Sequence, residues 1–345
     1  MMGYNLPLEG VVFFLVVVSI QGTVVVRPPA MYVFGDSTLD VGNNEYLTGK
    51  DVVKANKPYY GIDFPGFPAG RFSNGWNTAD LVAMSMGFIG SPPAYLSLAR
   101  SSSLLALTAL NNGVNYAAVG AGIFGSTHAG NTIPLSKQLQ YFSATKAGMV
   151  ARRGSGAVDA LLSNSIFLVG IGSNDSLVFP TTKQSDIPTF YSNLIANYSA
   201  AITRLRNPIG ACGDALNQLV AGFNGELSCL LSSLAPKLPG LVYSLGDFHG
   251  VMVSILSNPW AFGFTDVASA CCGSGRLNAE GLCLPSSRLC TNRDQHIYWD
   301  PLHHTQRARF IAARTFYDGP AWYTKPINFK QFTKTLKRGL SDHLI

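Results

Sequence analysis

Short apolar runs ending near glycine, aspartate or asparagine punctuate the chain at residues 30–35, 114–119, 166–171 and 241–245. They lack strict polar alternation, which suits strands buried on both faces of a parallel sheet. Between them, residues 78–86, 136–142, 190–205 and 251–256 repeat apolar positions near helical spacing, and 305–316 do so more loosely. Alternating strand and helix predicts a doubly wound α/β domain, with ligands bound beyond the carboxyl ends of the strands. No repeat or linker separates two cores, so a single domain is expected.

One further apolar run, residues 11–20, precedes small and polar residues. At about ten residues it is too short to span a bilayer and suits the core of a signal peptide. Its upstream flank departs from that pattern, with Glu9 and no Lys or Arg; the alternative is a buried first strand. The signal reading divides the chain into a leader (1–26), a domain (27–335) and a short tail (336–345). No later run is long enough for a membrane helix, so no stable membrane insertion is expected.

Composition narrows the function. With 47% hydrophobic and 13% charged residues, the chain has the material for a packed core. The net charge is +6, but Lys and Arg are scattered apart from Arg152-Arg153 and a group at 334–338, which argues against a nucleic-acid partner. Six cysteines, at 212, 229, 271, 272, 283 and 290, lie in the C-terminal half. Adjacent Cys271 and Cys272 lack the spacing that lets two thiolates chelate one metal, so disulfides and export are expected. The expected pairing joins Cys212 to Cys229 and leaves the last four to bridge among themselves. Of two N-x-S sequons, at Asn174 and Asn197, the second sits in a polar helical segment and is the expected glycosylation site.

The candidate chemistry lies where strands end. Gly35-Asp36-Ser37 follows the first strand of the domain, a place where a serine hydroxyl can be exposed with its backbone N–H facing an incoming carbonyl. Trp299-Asp300-Pro301-Leu302-His303-His304 precedes the last helix; an Asp three residues before a His can fix its tautomer while the other ring nitrogen reaches a serine. That spacing favours His303 over His304. Two other strand ends, around Gly120 and Asn174, offer a backbone N–H and a side-chain amide that could join the Ser37 N–H around a tetrahedral oxyanion.

The ordered blocks F-G-D-S, G-V-N-Y-A-x-x-G-A-G, G-I-G-S-N-D and D-x-x-H resemble those of the plant GDSL esterase/lipase family, within the SGNH hydrolases. The likeness extends to residues 58–75 and to Cys271-Cys272-Gly273, covering most of 31–331. It implies a flavodoxin-like three-layer α/β sandwich. It also implies a secreted ester hydrolase with Ser37 as nucleophile, His303 as base, Asp300 as its partner, and Ser37, Gly120 and Asn174 as oxyanion donors. No metal or organic cofactor is implied, and the partner is a small-molecule or lipid ester. An acyltransferase using the same serine, or a secreted binding or defence protein with weakened catalysis, is the alternative. Two departures stand out. His304-Thr305-Gln306 stands where the family's D-x-x-H-P-T-E has P-T-E, and no four-residue apolar run lies between Leu205 and Val220, where relatives have a further strand. One core strand is therefore expected to be missing.

Overall fold

The computed structural model describes residues 14–20, 27–66, 69–179, 189–191, 193–198, 217–238 and 240–338. Strands β2 (Met31–Gly35), β3 (Gly113–Asn115) and β4 (Ile166–Gly170) run parallel, with Met31 opposite both Gly113 and Ile166. All their residues are buried, as the continuous apolar runs require. The pleat sends Tyr32 and Phe34 into one apolar cluster and Met31 and Val33 into another.

Helices cover both faces. The first cluster takes residues from α2 (Ser102–Asn111), α3 (Leu135–Arg153), α4 (Ser155–Ser163) and α6 (Asn217–Leu234), with Leu105, Phe142, Val158 and Leu230 among them. The second takes α1 (Thr78–Ser85), α7 (Phe248–Ser257), α8 (Gln306–Asp318) and α9 (Phe329–Arg338), through Val82, Val251, Ala312 and Phe332. A shorter helix, α5 (Ser173–Val178), follows β4. Helix starts are written locally: Asn77 and Asp80 form a reciprocal capping box on α1, and Thr305 accepts from the Ala308 N–H on α8. Asp80 also takes two hydrogen bonds from Arg71, at 2.6 and 2.8 Å, tying the 58–75 segment to the domain.

The main sheet has the order β10-β5-β1-β4-β2-β3, where β1 is Phe14–Ile20, β5 is Leu241–Asp247 and β10 is Thr324–Lys325. β1 is antiparallel to both β4 and β5, so β4 and β5 are themselves parallel. Among the described residues, the N-terminal apolar run stands between β4 and β5. Two facing strand edges need N–H and C=O partners, and an antiparallel segment supplies them as well as a parallel one. Residues 199–216, where the family's strand was sought, lie outside the described residues.

Other expectations differ in extent. β3 stops at Asn115 because that side chain accepts the Ala117 N–H and donates to Leu39 O, although Tyr116 N and Ala118 N still donate to Val33 O and Gly35 O of β2. The helical pattern at 136–142 is the N-terminal part of the longer α3, and α9 reaches Arg338. Near the C-terminus, β6 (Asp266–Ala270) pairs with β9 (His296–Tyr298), and β7 (Cys272–Gly273) with β8 (Arg288–Leu289). Disulfides Cys271–Cys290 and Cys272–Cys283 staple this region, so the last four cysteines do bridge among themselves. The expected pair Cys212–Cys229 falls on Cys212, outside the described residues.

Cleavage of residues 1–26 would remove β1 and leave the edges of β4 and β5 facing each other, each buried unpaired polar group costing about 1–3 kcal/mol. The chain beginning at Arg27 is therefore expected to melt at a lower temperature than the full chain and to lose amide-exchange protection in β4 and β5. Identical melts and protection would show that β1 contributes nothing to the cooperative fold.

Candidate active site

The site begins where β2 and β4 converge. Gly35 lies opposite Gly170, and a Cβ on Gly35 would sit 2.3 Å from Gly170 O, so this approach requires glycine. From α3, Gln138 braces the same residue on both sides: its Oε1 accepts the Gly35 N–H at 2.9 Å and its Nε2 donates to Gly35 O at 2.8 Å. Asp36 is turned inward, accepting from the Thr38 N–H and Oγ1–H. Burial pushes its pKa up to about 6, against the pull of the Thr38 hydrogen bonds. Ser37 is left facing the cleft beyond the strand ends.

The 299–305 turn meets it. His303 Nε2 lies 2.9 Å from Ser37 Oγ, and His303 Nδ1 lies 2.9 Å from both carboxylate oxygens of Asp300. The turn is closed by Trp299 N–H donating to His303 O at 2.7 Å. Asp300 Oδ1 also accepts the backbone N–H of Leu302 and His303, and Oδ2 accepts the Tyr60 hydroxyl at 2.8 Å. Burial works to raise the Asp300 pKa. The His303 charge, its hydrogen bond and those from Leu302 and Tyr60 outweigh it and hold the carboxyl below the usual range. Phe72 packs on the His303 ring at 5.1 Å between centroids. Such a chain of Ser, His and Asp can move a proton off the hydroxyl and stabilise the resulting imidazolium.

Gly120 and Asn174 line the same cleft. Asn174 Nδ2 donates to Ala121 O at 3.0 Å, which uses one of its two hydrogens. Among the described residues, no backbone carbonyl takes the N–H of Ser37 or Gly120. Asp175 holds the neighbouring loop: its carboxylate accepts from Ile123 N, Phe124 N and Thr127 Oγ1 at 2.8–3.0 Å. The structure thus brings together all five site residues taken from the sequence. The sequence reading missed Tyr60, Phe72 and Gln138, and it missed Asn43, whose amide donates to Asn115 O and Ala117 O, and Asn44, which accepts the Val119 N–H and donates to Val119 O. Only Tyr60 and Phe72 carried a signal, since they fall in the 58–75 block. The departure at Gln306 is absorbed, because its Oε1 accepts the Trp76 N–H at 2.7 Å and its own N–H caps onto Asn74 Oδ1.

The cleft measures about 330 Å³ and has apolar walls from Val53, Phe72, Val119, Leu177, Leu282 and Leu302. No helix among the described residues is long and apolar enough to cross a membrane. Residues 31–316 match the profile of the GDSL-like lipase/acylhydrolase family. The chain is similar to the Arabidopsis thaliana protein named GDSL esterase/lipase At5g55050, with 36% identity across 89% of this chain and 90% of the relative. It is also similar to GDSL esterase/lipase At1g71691 from the same plant, at 34% identity across 88% and 85% of the two chains. A third, GDSL esterase/lipase At1g71250, is 33% identical across 89% of each.

His304 turns away from Ser37. Its ring packs against Phe248 and Tyr298, with centroids 5.1 and 5.3 Å away. Burial, reinforced by the Arg309 guanidinium, pushes its pKa down to about 3. An unfolded histidine titrates near 6.5. The stability that neutral His304 contributes is therefore full above about pH 6.5 and is lost as pH falls toward 3, at roughly 1.4 kcal/mol per pH unit for one proton. His304→Gln should flatten the fall in urea-denaturation stability between pH 6.5 and 4. An unchanged slope would mean that other groups govern acid sensitivity.

Proposed function

The chain belongs to the GDSL-like lipase/acylhydrolase family, and from that premise we propose that this ester hydrolase is a secreted serine enzyme that works through an acyl-Ser37 intermediate. The observation that carries the reading is the unbroken contact from Ser37 Oγ through His303 to Asp300, each step at 2.9 Å. Ser37 Oγ attacks the acyl carbon as its proton passes to His303 Nε2. The carbonyl oxygen becomes an oxyanion held by the N–H of Ser37 and Gly120 and by the second Nδ2–H of Asn174. Collapse breaks the ester C–O bond, and His303 returns the proton to the leaving alcohol. A water then enters, gives its proton to His303 and releases the acid. His303, with the Leu302 N–H and the Tyr60 hydroxyl, keeps Asp300 ionised opposite the imidazolium.

The apolar cleft sits at the small end of ligand-site volumes, which favours short to medium acyl chains. Leu177, Leu282 and Leu302 stand half exposed at its rim, where an apolar acyl chain can enter. The flavodoxin-like three-layer sandwich implied by the family suits helices on both sheet faces. Secretion is supported by the two disulfides, with residues 1–26 as the export signal; the melt of the chain from Arg27 then reports on the exported form.

Ser37→Ala and His303→Ala should each lower ester turnover by about 10⁴-fold or more, since these groups act as a unit, while His304→Gln stays within a few-fold of the parent at pH 8. A fluorophosphonate should label Ser37, as seen by peptide mass. If His304→Gln is the severe variant, or label is found elsewhere, the mechanism is wrong. Across p-nitrophenyl esters of increasing length, kcat/KM should peak below long-chain substrates. Sugar should be found on exposed Asn197 and not on Asn174, which is engaged with Ala121 in the cleft; a glycan on Asn174 would remove it from the oxyanion site.

A further inference from the structure

Gly120 has φ 77°, in the region open chiefly to glycine, and without a side chain its flanking peptides have more orientations available than any other residue allows. An N–H that must point at an oxyanion needs those alternatives removed. In a trans peptide the C=O and N–H point opposite ways, so fixing Val119 O fixes the direction of the Gly120 N–H. Thr132 Oγ1 donates to Val119 O at 2.6 Å. Asn44 grips the same residue, accepting the Val119 N–H at 3.0 Å and reaching Val119 O at 3.4 Å. On the other side of Gly120, His128 Nδ1 lies 3.0 Å from Gly120 O, and since a carbonyl only accepts, that nitrogen carries the proton. A Cβ on Gly120 would come within 3.3 Å of His128 Nδ1, so the imidazole closes over the glycine.

Thr132 and His128 belong to one loop, which Thr127 ties to Asp175 and the Asn131 N–H ties back to His128 O. His128 itself is held at φ 46°, a left-handed conformation that a non-glycine residue adopts at some cost. Its side chain lines the cleft. We propose that Thr132 and His128 are positioning residues for the Gly120 oxyanion donor, Thr132 acting through Val119 O and His128 through Gly120 O. The inference rests on the acyl-Ser37 reading. It assigns part of the rate to a loop that carries none of the family's ordered blocks.

Thr132→Val keeps the shape and removes the donor; Thr132→Ser keeps the donor. Removing one oxyanion donor outright costs about 10²–10³-fold in kcat, so loosening its aim in Thr132→Val should cost roughly 10–100-fold in kcat with KM nearly unchanged. Thr132→Ser should recover most of that loss. His128→Ala should lower kcat in the same manner, and His128→Asn, which offers an amide N–H and tolerates the left-handed backbone, should lower it less. An alkyl boronic acid, whose tetrahedral Ser37 adduct places an oxygen in the oxyanion position, should lose affinity by the same factor as kcat/KM. Melting temperatures of all four variants check that the fold is kept. Unchanged kcat and boronate affinity in Thr132→Val and His128→Ala would overturn the inference, as would a loss confined to KM or a Ser variant no better than Val. If those variants are silent while Ser37→Ala is inactive, only this inference fails; if Ser37→Ala is itself active, the acyl-Ser37 reading fails with it.

Discussion

The register between β2 and β4 is the constraint on which the site depends. Gly35 and Gly170 are paired, with no room for a Cβ at Gly35. This brings the segments after both strands, one carrying Ser37 and the other Asn174 and Asp175, to the same end of the sheet. Gln138 holds the last β2 residue from α3, and Asp175 holds the loop that follows β3. Two separate stretches of backbone are thereby placed by hydrogen bonds to side chains that take no part in the proposed chemistry. A slip of one residue would invert every side chain of β2 between its two apolar clusters.

Electrostatics behind the site are more concentrated than the low overall charge suggests. Asp36, Asp300 and Arg309 are all buried. Burial brings the Arg309 pKa down to about 10, and the Asp300, Asp36 and Asp80 charges resist the fall. Its Nη2 donates to Phe72 O, the residue whose ring lies on His303. The same guanidinium disfavours a proton on His304. Two adjacent histidines thus have different fates: His303 is drawn to a carboxylate and a serine, and His304 is kept neutral in an apolar wall.

How much was legible follows from what is local. Ser37, Asp300 and His303 stand in short motifs at strand or helix ends, and periodicity located those ends to within a few residues. Asn43, Asn44, Gln138 and Thr132 stand in no such pattern, because each is one polar residue whose partner is backbone distant in sequence; Gln138 and Gly35, for example, are 103 positions apart. The place of β1 was hidden for a related reason. An apolar run declares that it wants burial, but not which edges it will join or in which direction. Cysteine pairing among positions 271–290 was legible only as far as grouping, since spacing does not distinguish crossed from nested bridges.

The contact between Ser37 and His303 spans 266 positions of sequence. A nascent chain cannot make it until nearly all of the domain has been synthesised, and contacts closed over so long a separation form late because the chain entropy of closing them must be met first. In the proposed mechanism each residue of the pair is inert without the other. Incomplete or partly folded chains therefore carry Ser37 without His303, and the contact that the proposed mechanism uses is made only when the two ends of the domain have met.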